Sequence, residues 1–190
     1  MYHQVLASTI VPVVWVAFTL GIGRRILDMT GCEWRVPRPG FPSLCRCYNY
    51  AEDQELAGLV KQHIGTHGAM LDMVGRECHD HLESLAIVIA DALRFQDPAP
   101  LTIVTFCRGG EKRSVALATV MYHCVKAVVG VAPEHPEHMC SQGWHRTCRG
   151  NCHMCRNALG RTAADNPGIV AAVEHFQMVL RSLMPPERED

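Results

Sequence analysis

One stretch near the middle of the chain, residues 101–125, constrains the fold more than any other. An apolar run (LTIVTF) is followed by a loop with two glycines (CRGGEKRS), and then by a run with helical spacing (VALATVMYHCV). This order predicts a buried strand, a loop and a helix, in which backbone N–H groups and a helix N-terminus converge on an anion. We therefore expect a ligand site at the carboxyl end of the 101–106 strand.

The flanking segments predict an α/β fold, with a small, partly parallel sheet flanked by helices. Apolar residues recur at helical spacing over residues 53–74 and 77–95, and Pro167 opens a last amphipathic helix. A short strand is predicted at residues 25–30. The predicted division of the chain is an apolar N-terminal segment (1–24), an α/β core (25–131), a cysteine-rich loop (132–161), and a C-terminal helix with its tail (162–190).

The apolar N-terminal segment has several interpretations. Residues 5–22 carry no charge and reach the lower length limit of a transmembrane helix. A signal peptide would need a basic region before this run, and none is present. Richness in β-branched residues, together with Pro12, also suits one or two buried strands, and a mis-assigned extension is a further alternative. The expected location is the cytoplasm, with membrane association through residues 5–22 as the alternative.

The central loop has the spacing of a phosphatase loop. Cys107 is followed by five residues, then Arg113 and Ser114, so that an arginine fork could grip a phosphate beside a thiolate. A Walker A motif cannot be written over it. Phe106 stands where tyrosine phosphatases usually carry histidine, and no later loop offers an obvious acid. We therefore predict phosphate binding without turnover. The alternatives are a cysteine-dependent phosphatase with Cys107 as nucleophile and Arg113, and a zinc-stabilised module that interacts with protein or RNA.

A second candidate site is a cysteine cluster that predicts bound zinc. The spacing C-x7-C-x3-C-x2-C suits a tetrahedral four-thiolate site with a structural role. Histidines of the same loop are possible substitutes for one thiol, disulfides are the alternative in a secreted protein, and the local arginines leave open a contact with RNA. The predicted ligands are Cys140, Cys148, Cys152 and Cys155, and the candidate substitutes are His138, His145 and His153.

The sequence LTIVTFCRGGEKRSVALA resembles the C-terminal domain of the RNase adapter family RapZ. The resemblance extends over roughly residues 25–147, through the H-x3-H pair His63 and His67 upstream and His145-Arg146-Thr147 downstream. The family's N-terminal nucleotide-binding domain has no counterpart here, so no nucleotide cofactor is expected. The central loop matches the family at Cys107, Gly109, Gly110, Arg113, Ser114 and Val115.

This resemblance implies a sensor domain that binds a phosphorylated small molecule such as an amino-sugar phosphate, rather than an enzyme. It also implies contact with small RNA, although the family's basic tail is replaced by PPERED; a homo-oligomer is left open. In this interpretation the loop glycines allow close backbone approach, Arg113 grips the phosphate, and Ser114 caps the helix. The implied ligand-binding residues are Cys107, Arg108, Gly109, Gly110, Lys112, Arg113, Ser114, His63, His67, His145 and Arg146.

Overall fold

The computed structural model of the protein describes residues 13–19, 54–94, 101–107, 111–129, 137–138, 144–156 and 164–184. Helices account for most of these residues. The elements, in chain order, are β1 (Val13–Thr19), α1 (Gln54–Leu59), α2 (Gly68–Glu77), α3 (His79–Arg94), β2 (Leu101–Cys107), α4 (Arg113–Val129), β3 (Glu137–His138), α5 (His153–Arg156) and α6 (Pro167–Leu183).

The last helix, α6, begins where the sequence predicts. Pro167 occupies its first turn, where the missing N–H costs nothing. Asn166 caps the helix, because its side-chain oxygen accepts hydrogen bonds from the N–H groups of Gly168 at 3.1 Å and Ile169 at 3.4 Å. The predicted apolar stripe is buried at its centre, at Phe176, whereas Val170 at its edge is 41% exposed.

The helix predicted over residues 53–74 is interrupted in the structure. Residues 60–67 form a turn between α1 and α2, which we call the 60–67 turn. His67 ends this turn as the N-cap of α2, where its Nδ1 atom accepts the N–H of Ala69 at 3.2 Å. The predicted second helix is α3, which follows α2 after the single residue Cys78.

A cluster of apolar side chains from α2, α3, α4 and α6 forms the main core. Tyr122 of α4 and Phe176 of α6 are its largest fully buried members. Two glycines allow α2 and α6 to cross closely: a Cβ atom on Gly75 would collide with the backbone of Gly168, and one on Gly168 with that of Asp72. Helix-on-helix packing with backbones in contact therefore stabilises this part of the chain.

Three short strands pair through their backbones. β1 is parallel to both β2 and β3, in the order β2-β1-β3, with Val13 opposite Leu101 and Val16 opposite Glu137. The Thr105 side chain of β2 is buried, and its hydroxyl donates a hydrogen bond to the Ser114 carbonyl at 2.7 Å. This bond joins β2 to the start of α4.

Three short paired strands do not make this an α/β domain built on a partly parallel sheet, and that predicted fold class is wrong. The described residues are predominantly helical. Both apolar clusters of the described residues are made of side chains from helices and the turns beside them. The prediction failed because it centred the core on a sheet, whereas the main core lies between the apolar faces of α2, α3, α4 and α6, of which α4 also contacts β1 and β2.

Several predictions on the first half of the chain lie outside the described residues. Among them are the strand at 25–30 and most of the apolar segment at 5–22, of which β1 is the described part. Within the described ranges, no helix is both long and apolar enough to cross a membrane. The predicted domain boundaries stay predictions.

Candidate metal centre

The 60–67 turn carries the first residue of the site, His63. Hydrogen bonds within the turn fix it, from the N–H of His63 to the Val60 carbonyl at 3.0 Å and from that of His67 to the Ile64 carbonyl at 3.1 Å. The rings of His63 and His67 lie side by side, with centroids 4.5 Å apart. His67 is held by the hydrogen bond that its Nδ1 atom accepts from the N–H of Ala69 in α2. The ring of His63 is instead directed to a group of three cysteines, which is described below.

The second part of the site is the loop of residues 144–156, which we call the 144–156 loop. It bends tightly after Cys148, where Arg149 (φ 52°) and Gly150 (φ 80°) adopt left-handed backbone conformations. The N–H of Asn151 then closes the bend on the Cys148 carbonyl at 2.9 Å. Cys152 immediately precedes α5, which carries Cys155. The bend and the short helix together turn three thiols towards one point.

The two parts are joined by backbone and side-chain contacts. The N–H of Cys148 donates to the Gln62 carbonyl at 2.7 Å. A small apolar cluster lies beneath them, with Cys155 itself among its buried members. Its other buried residues are Ile64, Val115, Ala118 and Trp144.

Four side chains converge where the turn and the loop meet. The ligand atoms of His63, Cys148, Cys152 and Cys155 all lie within 4.8 Å of one another, and the group could hold a metal ion. His63 Nδ1 is 3.3 Å from the Sγ atom of Cys152 and 3.6 Å from that of Cys155. The Sγ atoms of Cys148 and Cys155 are 3.6 Å apart.

These distances match those of a tetrahedral zinc site. Zn–S bonds of about 2.3 Å and Zn–N bonds of about 2.0–2.1 Å place two sulfurs about 3.8 Å apart, and sulfur and nitrogen about 3.6 Å apart. The three separations given above differ from these values by a few tenths of an ångström. All the ligand atoms lie within 4.8 Å, so the group is compact enough to hold a metal ion.

Their surroundings shift the pKa values of the Cys148 and Cys155 thiols in opposite directions. Burial raises the pKa of Cys148, but hydrogen bonds from the Gly150 N–H and from Cys152, Cys155 and His63 outweigh burial and bring the pKa to about 6. Burial, followed by the hydrogen bonds with Cys148 and Cys152, raises the pKa of Cys155 well above its ordinary value. One thiolate is thus available near neutral pH to begin metal binding, and a cation must displace the proton of the buried thiol.

The structure brings together three of the four predicted metal ligands and supplies an unexpected fourth. Cys148, Cys152 and Cys155 form the predicted cluster, and Cys140 lies outside the described residues. The fourth member of the observed group is His63. The family resemblance had implied that His63, together with His67, His145 and Arg146, forms the rim of a phosphate pocket. Of the histidines considered as substitutes, His145 and His153 are exposed and do not belong to the group, and His138 forms the end of β3.

The predicted phosphate loop is described only at its two ends. Cys107 ends β2, and Arg108, Gly109 and Gly110 lie outside the described residues. At the other end, Arg113 is partly exposed at the start of α4, and Ser114 is fully buried with its carbonyl bonded to Thr105. Phosphate binding by this loop stays a prediction.

Lys112 has a different position from the one expected of a phosphate ligand. Its Nζ atom donates hydrogen bonds to the carbonyls of Val60 at 2.8 Å, Lys61 at 3.2 Å and His63 at 2.8 Å. Burial lowers the pKa of Lys112, while Glu111, Cys148 and Cys155 oppose the shift. The lysine therefore faces the metal group.

The predicted rim residues are divided between two environments. His67 is buried, and burial, followed by the neighbouring His63, lowers its pKa. His145 and Arg146 are exposed on the 144–156 loop. Of the predicted rim, the structure therefore brings His63 and His67 into contact with each other, and places His63 at the metal group.

Comparison of the chain with protein-family models, with curated proteins and with solved structures finds no match. The resemblance to the RapZ family therefore stays a prediction that these comparisons do not support.

Proposed function

We propose that this chain is a zinc-stabilised interaction module, in which His63, Cys148, Cys152 and Cys155 hold one Zn²⁺ ion. The observation that carries the proposal is the mutual spacing of the four ligand atoms, all within 4.8 Å. Thiolate ligands favour zinc, Cu(I) and iron–sulfur clusters, and a tetrahedral set of sulfur and nitrogen is typical of zinc.

The proposed role of the metal is structural. Catalytic zinc sites keep one position open for water or substrate, whereas this group offers four protein ligands. The ion would fasten the 144–156 loop to the 60–67 turn, so its binding free energy becomes folding free energy for both. Other contacts of the loop include the hydrogen bond from the Cys148 N–H to the Gln62 carbonyl and the small apolar cluster, while most of its side chains are polar and several are exposed.

The surface that zinc holds in place is basic. Arg146, Arg149 and Arg156 are exposed on the 144–156 loop, and no acidic residue lies between them. Arg156 is braced by a hydrogen bond to the Asn151 carbonyl at 2.8 Å. A cluster of arginines on an ordered loop suits the phosphate backbone of a single-stranded RNA, which is the partner that we propose for the module.

Metal analysis of the purified chain tests the zinc site. We expect one equivalent of zinc, and a lower melting temperature after removal of the metal with a chelator. Cys152→Ser should lose the metal, and His145→Ala, in the same loop but outside the group, is the matched control. Well under half an equivalent of zinc in the wild-type protein would contradict the proposal.

Salt-dependent binding to single-stranded RNA tests the partner. Replacing Arg146 and Arg149 by glutamine should leave the zinc content unchanged and reduce the slope of log K against log salt by about 0.7 for each lost phosphate contact. An Arg76→Gln variant, altered at an exposed arginine of α2, is the control. Equal RNA binding by all three proteins would remove RNA from the proposal and leave the zinc site standing.

A further inference from the structure

Lys112, just before α4, reaches across to the 60–67 turn. Its ammonium group carries three N–H donors and meets three backbone carbonyls, those of Val60, Lys61 and His63, at 2.8, 3.2 and 2.8 Å. Each donor thus has an acceptor. Lysine matches this arrangement better than arginine, whose planar fork spreads its donors in one plane.

These carbonyls belong to the segment that carries the metal-ligating histidine. One of them is the carbonyl of His63 itself, and between them the Gln62 carbonyl accepts the N–H of Cys148 at 2.7 Å. The backbone of residues 60–63 is therefore held from one side by Lys112 and from another by the 144–156 loop. Loss of either contact frees the histidine to move away from the thiols.

The backbone beside Lys112 is fixed against the same turn. The N–H of Gly65 donates to the Glu111 carbonyl at 2.9 Å. A Cβ atom on Gly65 would collide with the backbone carbonyl of Lys112. The close approach that Gly65 permits lets the lysine side chain reach back to residues 60–63.

Charge gives the same lysine a second role. A divalent ion bound by three thiolates and one neutral imidazole leaves a net charge of about −1 on the complex. The Lys112 ammonium, bound to the carbonyl of a ligand residue, lies where a compensating positive charge is most effective. Outer partners of this kind orient metal ligands and commonly change metal affinity by about 10–100-fold.

We propose that Lys112 is a positioning residue of the metal centre: its ammonium clamps residues 60–63 so that the His63 imidazole is held towards the three thiols. This inference rests on the zinc site proposed above. It assigns the lysine of the CRGGEKRS loop to the metal centre, where the family resemblance had implied a phosphate ligand.

Zinc and cobalt titrations of the full chain test the clamp. Lys112→Met should weaken zinc binding by about 10-fold or more in competition with a chelating dye. The Co²⁺-loaded variant should show an altered visible spectrum, because the imidazole is displaced while the thiolates stay. Lys61→Met, at an exposed lysine of the same turn whose carbonyl is retained, should behave as wild type.

Lys112→Arg is the second variant. It keeps the charge, but we expect it to restore less than half of the lost binding free energy, because the guanidinium cannot serve three converging carbonyls. If Lys112→Met fails to fold with or without zinc, the test rests on Lys112→Arg. Wild-type zinc affinity and a wild-type Co²⁺ spectrum in Lys112→Arg would overturn the inference. Weakened zinc binding with an altered Co²⁺ spectrum would support it. Wild-type affinity in a folded Lys112→Met also overturns it. Wild-type protein that binds no zinc contradicts the zinc site itself, a result distinct from failure of the clamp.

Discussion

The Nδ1 atom of His63 lies 3.3 Å from the Sγ atom of Cys152, although the two residues are 89 positions apart in the sequence. A metal ion bound between them would close that long segment as a crosslink. Closing a long loop has a large entropic cost, which the ion would offset when it binds to the folded chain. We therefore expect the metal centre to stabilise the fold of the segment between His63 and Cys152, as well as the 144–156 loop.

The identity of the fourth ligand gives the first prediction. His63→Ala should reduce zinc affinity by at least about 10-fold and lower the melting temperature, since it removes a ligand and leaves an open coordination position. His153→Ala, which changes a histidine between two of the ligating cysteines, should change neither. Equilibrium dialysis with zinc, combined with thermal unfolding, measures both. The reverse order of effects would show that the imidazole comes from the loop.

Sequence spacing predicted only part of this centre. Cys148, Cys152 and Cys155 are close in the sequence, so their convergence follows from the spacing alone. His63 could not be found in that way, because its approach depends on contacts of the 60–67 turn with distant residues, such as Cys148 and Lys112. The sequence signal that could have indicated His63 was its spacing of four residues from His67, which would place both side chains on one face of a continuous helix. In the structure a turn interrupts that helix, so that His67 caps α2 and His63 lies in the metal group.

The crossing of α2 and α6 gives the second prediction. Gly75→Ala or Gly168→Ala should lower the free energy of unfolding by about 1–3 kcal/mol, because the new methyl group meets backbone that cannot move aside. Gly58→Ala is the control, since nothing lies within 4 Å of its Cβ position and alanine favours helix. Urea unfolding measures all three variants. A Gly75→Ala protein as stable as Gly58→Ala would contradict the close crossing.

Asn166 gives the third prediction, because it makes two separate contributions. Its side-chain oxygen caps α6, and its Nδ2 group donates to the Gly68 carbonyl at the start of α2 at 3.0 Å. Asn166→Ala removes both and should cost about 1–2 kcal/mol of stability. Asn166→Asp keeps the cap and should cost less, while Asp165→Ala at the exposed neighbour should cost little. Equal losses in the two Asn166 variants, measured by urea unfolding, would assign the whole effect to the bond with α2.

A pH dependence at His67 is the fourth prediction. Burial, then His63, lowers the pKa of His67 below the ordinary value of 6.5. The unfolded chain therefore takes up the proton first, and stability should fall as pH decreases through about 6.5, down to the folded-state pKa. His67→Asn keeps a capping oxygen without a titrating ring, so its stability should vary less with pH.

Urea unfolding between about pH 7.5 and 5.5 checks the pH dependence across the ordinary histidine range. His145→Asn, at an exposed histidine, is the control for loss of any imidazole. Wild type and His145→Asn both keep the contact between His67 and His63, which His67→Asn removes together with the ring. Parallel curves for wild type and His67→Asn would show that His67 contributes nothing to the pH dependence.

Local features of the fold were more predictable than its class. The start of α6 follows from Pro167 and the apolar stripe after it, and α3 follows from the spacing over residues 77–95. Neither pattern predicts which element the apolar face of α3 or of α6 packs against. The pair Gly75 and Gly168 lets α2 and α6 approach at backbone distance, a contact between distant residues that no local periodicity records. The helical core was therefore missed while its helices were found.

X-ray absorption at the zinc edge of the purified full chain tests the metal centre most directly. We expect three sulfur ligands at about 2.3 Å and one nitrogen ligand at about 2.0–2.1 Å, with the features of an imidazole ring. The imidazole signal should disappear in His63→Ala and persist in His153→Ala. A shell of four sulfurs, a shell dominated by oxygen, or no bound zinc would contradict the account.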